Sequence, residues 1–165
     1  MRITILMTLI FLLIAGCGNT STQSRSGTTL KEIQKNYPKV AKKLEALPEK
    51  KYNQLKIPSK IPFKVKNTAV STGVKPMYNP VTFTFVGENA ALMVMNNFAK
   101  DRTQRDYSVE LTEGRKAFYS KNDRFIEMGW NVPNQNRHFI IQIHQDDDEY
   151  TKKDLIQIAN AIIQK

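Results

Sequence analysis

The side chains best suited to chemistry are two histidines and a nearby run of acidic residues. His138 and His144 are the only histidines, and acidic residues fill positions 146–149. On one strand the histidines would share a face but lie roughly 20 Å apart, too far to bind one metal ion. His144 and the acidic run could form a loose cation site, although the spacing of a calcium-binding EF-hand loop is absent. Because acidic residues also favour the positive end of a following helix, we predict a solvated acidic turn, no metal site and no cofactor.

Motifs for nucleophilic or metal-assisted catalysis do not occur in the sequence. Carboxylate pairs such as Glu110 and Glu113 exist, but their spacing alone does not place them in one site. Met93 and Met95 alternate as half-buried residues of a strand would, and they could also line an adaptable groove. Trp130 is more typical of a core anchor than of a ligand contact. The sequence therefore predicts no catalytic residues and a protein that is not an enzyme.

Cys17 is the only cysteine, and it follows a short apolar segment. Arg2 provides a positive start, and the apolar run over residues 3–15 is shorter than the roughly 20 residues that span a bilayer. This pattern indicates a signal peptide. The run ends in Leu-Ile-Ala-Gly-Cys at residues 13–17, which resembles the lipobox of bacterial prolipoproteins. The resemblance implies cleavage before Cys17 and attachment of a diacylglycerol to its sulfur.

A lipidated Cys17 would place the chain at the cell membrane, anchored on the extracytoplasmic face by acyl chains such as palmitate. Two or more chains hold a protein stably, whereas one binds only marginally. With its thiol modified, the chain has no cysteine for a disulfide or a thiolate metal site. There are two alternatives. The first is an ordinary secretory signal with a chance cysteine, and the second is a cytosolic enzyme with a catalytic Cys17.

Positive charge is concentrated towards the N-terminus of a chain whose net charge is +10. Residues 25–66 hold twelve basic and three acidic residues, whereas residues 67–165 hold twelve of each. Anionic lipids or wall polymers are the expected counter-charge, and each basic residue near such a surface contributes about 1 kcal/mol. We predict membrane or polyanion contact at Lys42, Lys43, Lys50 and Lys51. A solvated lysine face is equally compatible with the pattern, and no nucleic-acid-binding pattern occurs.

Two helical regions are predicted from capping signals and apolar periodicity. Residues 18–28 are polar and form a flexible tether. Thr29 and Glu32 then fit a capping box, and apolar residues at three-to-four spacing follow. Pro38 predicts a kink or two short helices, and Pro48 predicts the end of this region. A second capping arrangement at residues 151–154 precedes a C-terminal helix with a broad apolar face.

Between these two helical regions, apolar residues recur at every second position, as in a β-strand. Ile61, Phe63 and Val65 alternate with polar residues, and Pro62 makes residues 60–66 an edge or first strand. Further strands are predicted at 81–86, 90–95, 107–111, 116–120, 124–132 and 137–144. Their short connections require antiparallel neighbours. The predicted fold class is α+β: a meandering antiparallel sheet with a packed C-terminal helix, preceded by a kinked basic helical segment.

The predicted organisation is a signal peptide at 1–16, a lipidated cysteine and tether at 17–28, a basic helical arm at 29–56 and an α+β domain at 57–165. Within the last range, the sequences at 62–66, 125–130, 140–143 and 153–162 resemble small Bacillus-type lipoproteins. They also resemble the exported domain of unknown function on the outer side of anti-sigma factors. The resemblance implies an extracytoplasmic, non-enzymatic domain without catalytic residues. Unlike the anti-sigma members, this sequence is predicted to contain no transmembrane helix.

Two functions agree with these observations. The first is a surface module that contacts an envelope protein while its basic arm lies along the anionic envelope. The second is a carrier or sensor that binds an apolar ligand, such as a lipid or acyl chain, between the sheet and the C-terminal helix.

Overall fold

A computed structural model describes residues 28–73, 79–147 and 149–164. The predicted signal peptide, Cys17 and almost all of the tether lie outside these residues. Three short helices open the described part: α1 (Leu30–Asn36), α2 (Pro38–Glu45) and α3 (Glu49–Tyr52). The capping box at Thr29 is confirmed, because its amide donates to Glu32 Oε2 (2.8 Å) and its hydroxyl accepts from the Glu32 amide (3.2 Å).

The prolines divide these helices as their chemistry requires. The break predicted at Pro38 is confirmed, because α1 ends at Asn36 and Pro38 opens α2. Proline suits a first helical position, where its missing N–H would be unpaired in any case. The predicted end of the helical region at Pro48 is wrong, because Pro48 is the N-cap of α3 and its carbonyl accepts hydrogen bonds from the Lys51 and Tyr52 amides.

Seven strands form one antiparallel sheet in the order β1-β2-β3-β7-β6-β5-β4. The strands are β1 (Asn67–Thr72), β2 (Val81–Val86), β3 (Ala90–Asn97), β4 (Val109–Glu110), β5 (Lys116–Lys121), β6 (Phe125–Asn131) and β7 (His138–Gln145). A 3-10 turn (Thr112–Gly114) joins β4 to β5, and α4 (Lys152–Ile163) follows β7. Two meanders, β1 to β3 and β4 to β7, meet where β3 pairs with β7. The predicted α+β class with an antiparallel sheet and a packed C-terminal helix is confirmed.

The strand predicted at 60–66 is wrong, and the first strand lies at residues 67–72 instead. Pro62 lacks the amide that a ladder needs, and only the Lys66 amide joins the sheet, at Val86 O (2.8 Å). Ile61 and Phe63 are nevertheless buried. Their alternation therefore reports burial of an irregular segment rather than a strand.

One face of the sheet carries the core. The inward residues of the four central strands are Phe83, Phe85, Leu92, Val94, Ile126, Met128, Trp130, Phe139, Ile141 and Ile143. Helix α4 packs on β6 and β7 through Leu155, Ile158, Ala159 and Ile162. Ile33, Val40 and Leu44 of the N-terminal helices belong to the same core. The apolar stripe of the predicted arm therefore packs into the core of the sheet.

The opposite face is covered in part by the segment that joins β3 to β4. Arg105 from this segment lies over the Phe118 ring, with Cζ 4.0 Å from the ring centroid. It also pairs with Glu127 on β6 (3.1 Å) and with Asp101 (3.3 Å). Met93 and Met95 lie on this face and are half-buried. In the described part of the chain no helix is long and apolar enough to cross a membrane.

Candidate functional site

The four lysines predicted to contact a membrane or polyanion fall into two groups. Lys42 and Lys43 lie on α2, and Lys43 Nζ donates to the carbonyl of Val70 on the edge strand β1 (2.9 Å). Lys43 therefore has a structural contact that spacing did not reveal. Lys50 and Lys51 lie on α3 and line a cleft at the end of the sheet.

This cleft has a volume of about 560 Å³ and is named the basic cleft below. Its walls come from three places in the chain: α3 with the residues after it, the segment after β3, and the turn before β7. The lining residues are Lys50, Lys51, Asn53, Gln54, Lys56, Phe98, Gln135, Asn136 and Arg137. Four of them are cations, four are amides and one is aromatic, and no carboxylate is among them. The basic cleft is thus a concave surface with one sign of charge.

Hydrogen bonds hold the three walls of the basic cleft together. Asn96, fully buried on β3, accepts from the Lys56 amide (2.7 Å) and donates to the Lys56 carbonyl (3.0 Å). The Lys100 amide donates to Asn136 Oδ1 (2.9 Å). His138 Nδ1 donates to the Ala99 carbonyl (2.5 Å). These contacts fix the backbone on each side of Phe98, which forms one wall of the cleft.

Arg137 is the buried cation of this site, with 9% of its surface exposed. Its Nη2 donates to the Gln54 carbonyl (2.5 Å), and Nη1 donates to Gln135 Oε1 (3.4 Å). Its Nε is buried and has no hydrogen-bond partner in the described part of the chain. Burial lowers the pKa of Arg137, yet a guanidinium stays charged in proteins.

No ion pair compensates this charge among the described residues. Buried charges are normally paired, because an isolated ion in a low-dielectric surrounding is strongly unfavourable. Neutral carbonyl and amide oxygens supply part of the stabilisation for Arg137. A guanidinium has five N–H donors, and the printed hydrogen bonds of Arg137 to described residues use two of them.

Aromatic rings supply a further part of the stabilisation. Arg137 Cζ lies 5.4 Å from the Phe98 ring centroid and 5.3 Å from that of Phe139. Lys51 Nζ lies 5.3 Å from the same Phe98 ring. Cations at these distances from a ring face are attracted by its quadrupole. Phe98 therefore draws two like charges together at the wall of the basic cleft.

Several side chains that the sequence suggested for metal or acid–base chemistry have other contacts in the structure, and Asp148 of the acidic run lies outside the described residues. In the ranges that the structure describes, no three His, Asp or Glu side chains are close enough to hold a metal ion. His138 is buried, which lowers its pKa, and His144 packs on Phe125 with ring centroids 5.2 Å apart. Glu110 pairs with Lys116 (3.1 Å), whereas Glu113 pairs with Arg115 (2.6 Å). Each carboxylate is therefore engaged by a different cation.

Trp130 is the core anchor that the sequence predicted, with 1% of its surface exposed and its ring stacked on Phe139 at 5.3 Å. Leu155, Ile158 and Ile162 fill the interface between α4 and the sheet, and none exceeds 3% exposure. This packing gives the hypothesis of an apolar ligand between sheet and helix no support.

Arg137 and Phe98 were not identified from the sequence. Arg137 opens a predicted strand, and its contact with Gln54 joins positions 83 residues apart. Phe98 follows a strand and has no distinctive spacing. The comparisons add no relative: no family model, no curated protein and no solved structure matches this chain.

Proposed function

We propose that the chain is a membrane-anchored extracytoplasmic lipoprotein that acts without catalysis as a surface module of the envelope. Its basic N-terminal part, residues 28–66, contacts an anionic surface, while the sheet-and-helix part of the domain contacts another envelope protein. The observation that carries the proposal is the separation of charge: twelve basic and three acidic residues at 25–66, against twelve of each at 67–165.

Exposure of the lysines supports this proposal. Lys35, Lys39 and Lys42 are exposed on α1 and α2, while the apolar side of those helices is buried through Ile33, Val40 and Leu44. The helices are therefore held on the domain and their charged side chains are free to face a surface. Each lysine near an anionic membrane contributes about 1 kcal/mol.

Lipidation is tested by metabolic labelling with a clickable fatty acid in a bacterial host. The wild-type chain is expected to carry the label, and Cys17→Ala is expected to lose it, because the sulfur is the proposed attachment atom. Label that persists in Cys17→Ala, or a wild-type chain released unlabelled into the medium, contradicts the anchor.

Surface contact is tested on the predicted mature chain, residues 17–165, with Cys17→Ser to remove the lipid. Co-sedimentation with phosphatidylglycerol vesicles is expected at low salt and is expected to fall as salt rises, because screening shortens the range of the attraction. Phosphatidylcholine vesicles are expected to bind little. The triple variant Lys35→Gln, Lys39→Gln and Lys42→Gln should lose roughly tenfold or more in affinity.

A charge-matched control is available in the neutral part of the chain. Arg102, Arg124 and Lys153 are exposed, and replacing all three with glutamine removes the same charge. Equal loss of binding in the two triple variants would show a dependence on net charge alone and would contradict a dedicated basic surface.

A further inference from the structure

We infer that the basic cleft is a binding site for a phosphate ester group, with Arg137 as its buried anchor. The inference rests on the proposed function for the source of this phosphate group. A cell envelope contains phosphate both in phospholipid headgroups and in soluble or polymeric phosphate esters. The shared chemistry is a phosphate bearing at least two free oxygens.

The first argument is the charge of the lining. Lys50, Lys51, Lys56 and Arg137 line one cleft without a carboxylate. Like charges gathered in a concave, partly desolvated surface repel one another, and the concavity focuses their field on an anion. An anion in the basic cleft would relieve this repulsion.

The second argument is the state of Arg137. Its side chain is nine-tenths buried, it has no ion pair among the described residues, and its Nε has no hydrogen-bond partner there. A guanidinium presents donors in a planar fork that matches two oxygens of a phosphate. The residue types at the cleft therefore combine a directional anchor with mobile lysine charges.

The third argument is that internal hydrogen bonds hold the walls of the basic cleft in place. The double hydrogen bond between Asn96 and the Lys56 backbone, and the bond from Arg137 to Gln54, tie α3 and its exit to the end of the sheet. Walls held in this way lose less ordering entropy on binding than flexible ones. The amides of Asn53, Gln54, Gln135 and Asn136 add neutral polar groups at the rim.

The experiment follows the side-chain Nε–H signal of Arg137 by ¹⁵N NMR in the mature chain with Cys17→Ser. The signal is assigned with Arg137→Lys, which keeps the positive charge. Inorganic phosphate and glycerol 3-phosphate are titrated against chloride at equal ionic strength. A saturable shift with either phosphate, and none with chloride, is the expected result for a soluble phosphate source.

The second arm uses vesicles. The variant Lys50→Gln with Lys51→Gln removes two cations of the cleft but leaves Arg137 and its contacts in place. Lys35→Gln with Lys39→Gln is the matched control on α1 and α2. For a headgroup source, the cleft variant is expected to lose at least tenfold in affinity for phosphatidylglycerol vesicles and to lose more than the control.

The outcomes separate this inference from the proposed function. A phosphate-dependent shift of Arg137 without vesicle binding supports the phosphate site and contradicts the surface role. Vesicle binding that falls only in the α1–α2 variant, together with an unshifted Arg137 signal, overturns the phosphate site and leaves the surface role standing. Absence of both responses overturns both.

Discussion

At the scale of single residues, the unusual feature is a buried charge that has no ion pair among the described residues. Arg137 is stabilised by one carbonyl, one amide oxygen and two aromatic rings. Lysine in its place would keep the charge but lose the planar fork and the stacking that a guanidinium provides. This difference is the reason that Arg137→Lys is informative: it separates charge from geometry.

Gly129 on β6 is a position where one added methyl group is expected to disturb the packing. A Cβ there would overlap Phe118 Cε1 and would lie 2.7 Å from Phe118 Cζ and 2.9 Å from the Phe139 carbonyl. We expect Gly129→Ala to lower the free energy of unfolding by about 1–3 kcal/mol, measured by urea denaturation.

A smaller side chain at position 118, beside Gly129, provides the control. In a double-mutant cycle, Phe118→Leu should recover part of the loss, because it removes the ring edge that the new methyl group meets. Strictly additive effects of the two changes would contradict the clash.

Tyr150 is expected to make the free energy of unfolding fall at high pH. Burial raises its pKa to about 12, and the nearby Glu149 acts in the same direction. The unfolded chain releases this proton near its ordinary pKa of about 10. The stabilisation is therefore complete below about pH 10 and is lost as the pH rises through 12.

The measurement compares wild-type with Tyr150→Phe in urea unfolding between pH 9 and 12. We expect the wild-type to lose up to roughly 2 kcal/mol more than the variant over this range. Parallel pH profiles for the two chains would show that Tyr150 does not carry the effect.

At the scale of elements, helix α4 depends on its N-terminal cap. The Thr151 amide and hydroxyl both donate to Asp154 Oδ2 (2.8 Å each), and the helix then buries Leu155 and Ile158 against the sheet. Thr151→Ala is expected to lower the free energy of unfolding by about 1 kcal/mol. Thr151→Ser keeps the hydroxyl and should stay close to wild-type in the same urea titration, so an equal loss in both variants would contradict the role of the cap.

Local signals predicted the elements that local chemistry decides. The capping boxes, the break at Pro38 and the hairpin of β2 and β3 each depend on residues a few positions apart, and the structure confirms them. Strand β1 was missed because only Thr68 and Val70 of its six residues are buried. An edge strand with so little apolar surface gives a weak pattern.

The basic cleft shows why a site is harder to predict than an element. Lys50 and Lys51 are predicted as contact residues because a local excess of charge is visible in the sequence. Arg137 and Phe98 join them only after the β6–β7 turn and the β3 exit meet α3, and no short-range pattern encodes that meeting. The pairing of β3 with β7 brings these segments to the same end of the sheet.

At the scale of the whole molecule, the basic helices and the neutral sheet share one hydrophobic core. An excess of positive charge on one part of a compact molecule opposes folding through self-repulsion. Salt shortens the range of that repulsion, with a Debye length near 10 Å at 0.1 M. The stability of the protein should therefore depend on salt concentration in a way that reflects the charge distribution and that no single contact explains.

We expect the melting temperature of the mature chain with Cys17→Ser to rise when sodium chloride is added from low ionic strength. The triple variant at Lys35, Lys39 and Lys42 should melt higher than the parent at low salt and should gain less from added salt, because part of the repulsion is already removed. The matched glutamine variant at Arg102, Arg124 and Lys153 should keep the salt dependence of the parent, since those cations lie in the part of the chain where acidic residues balance them. If both triple variants flatten the salt response equally, the repulsion depends on total charge, and the concentration of lysines beside the predicted anchor has no energetic consequence for the fold.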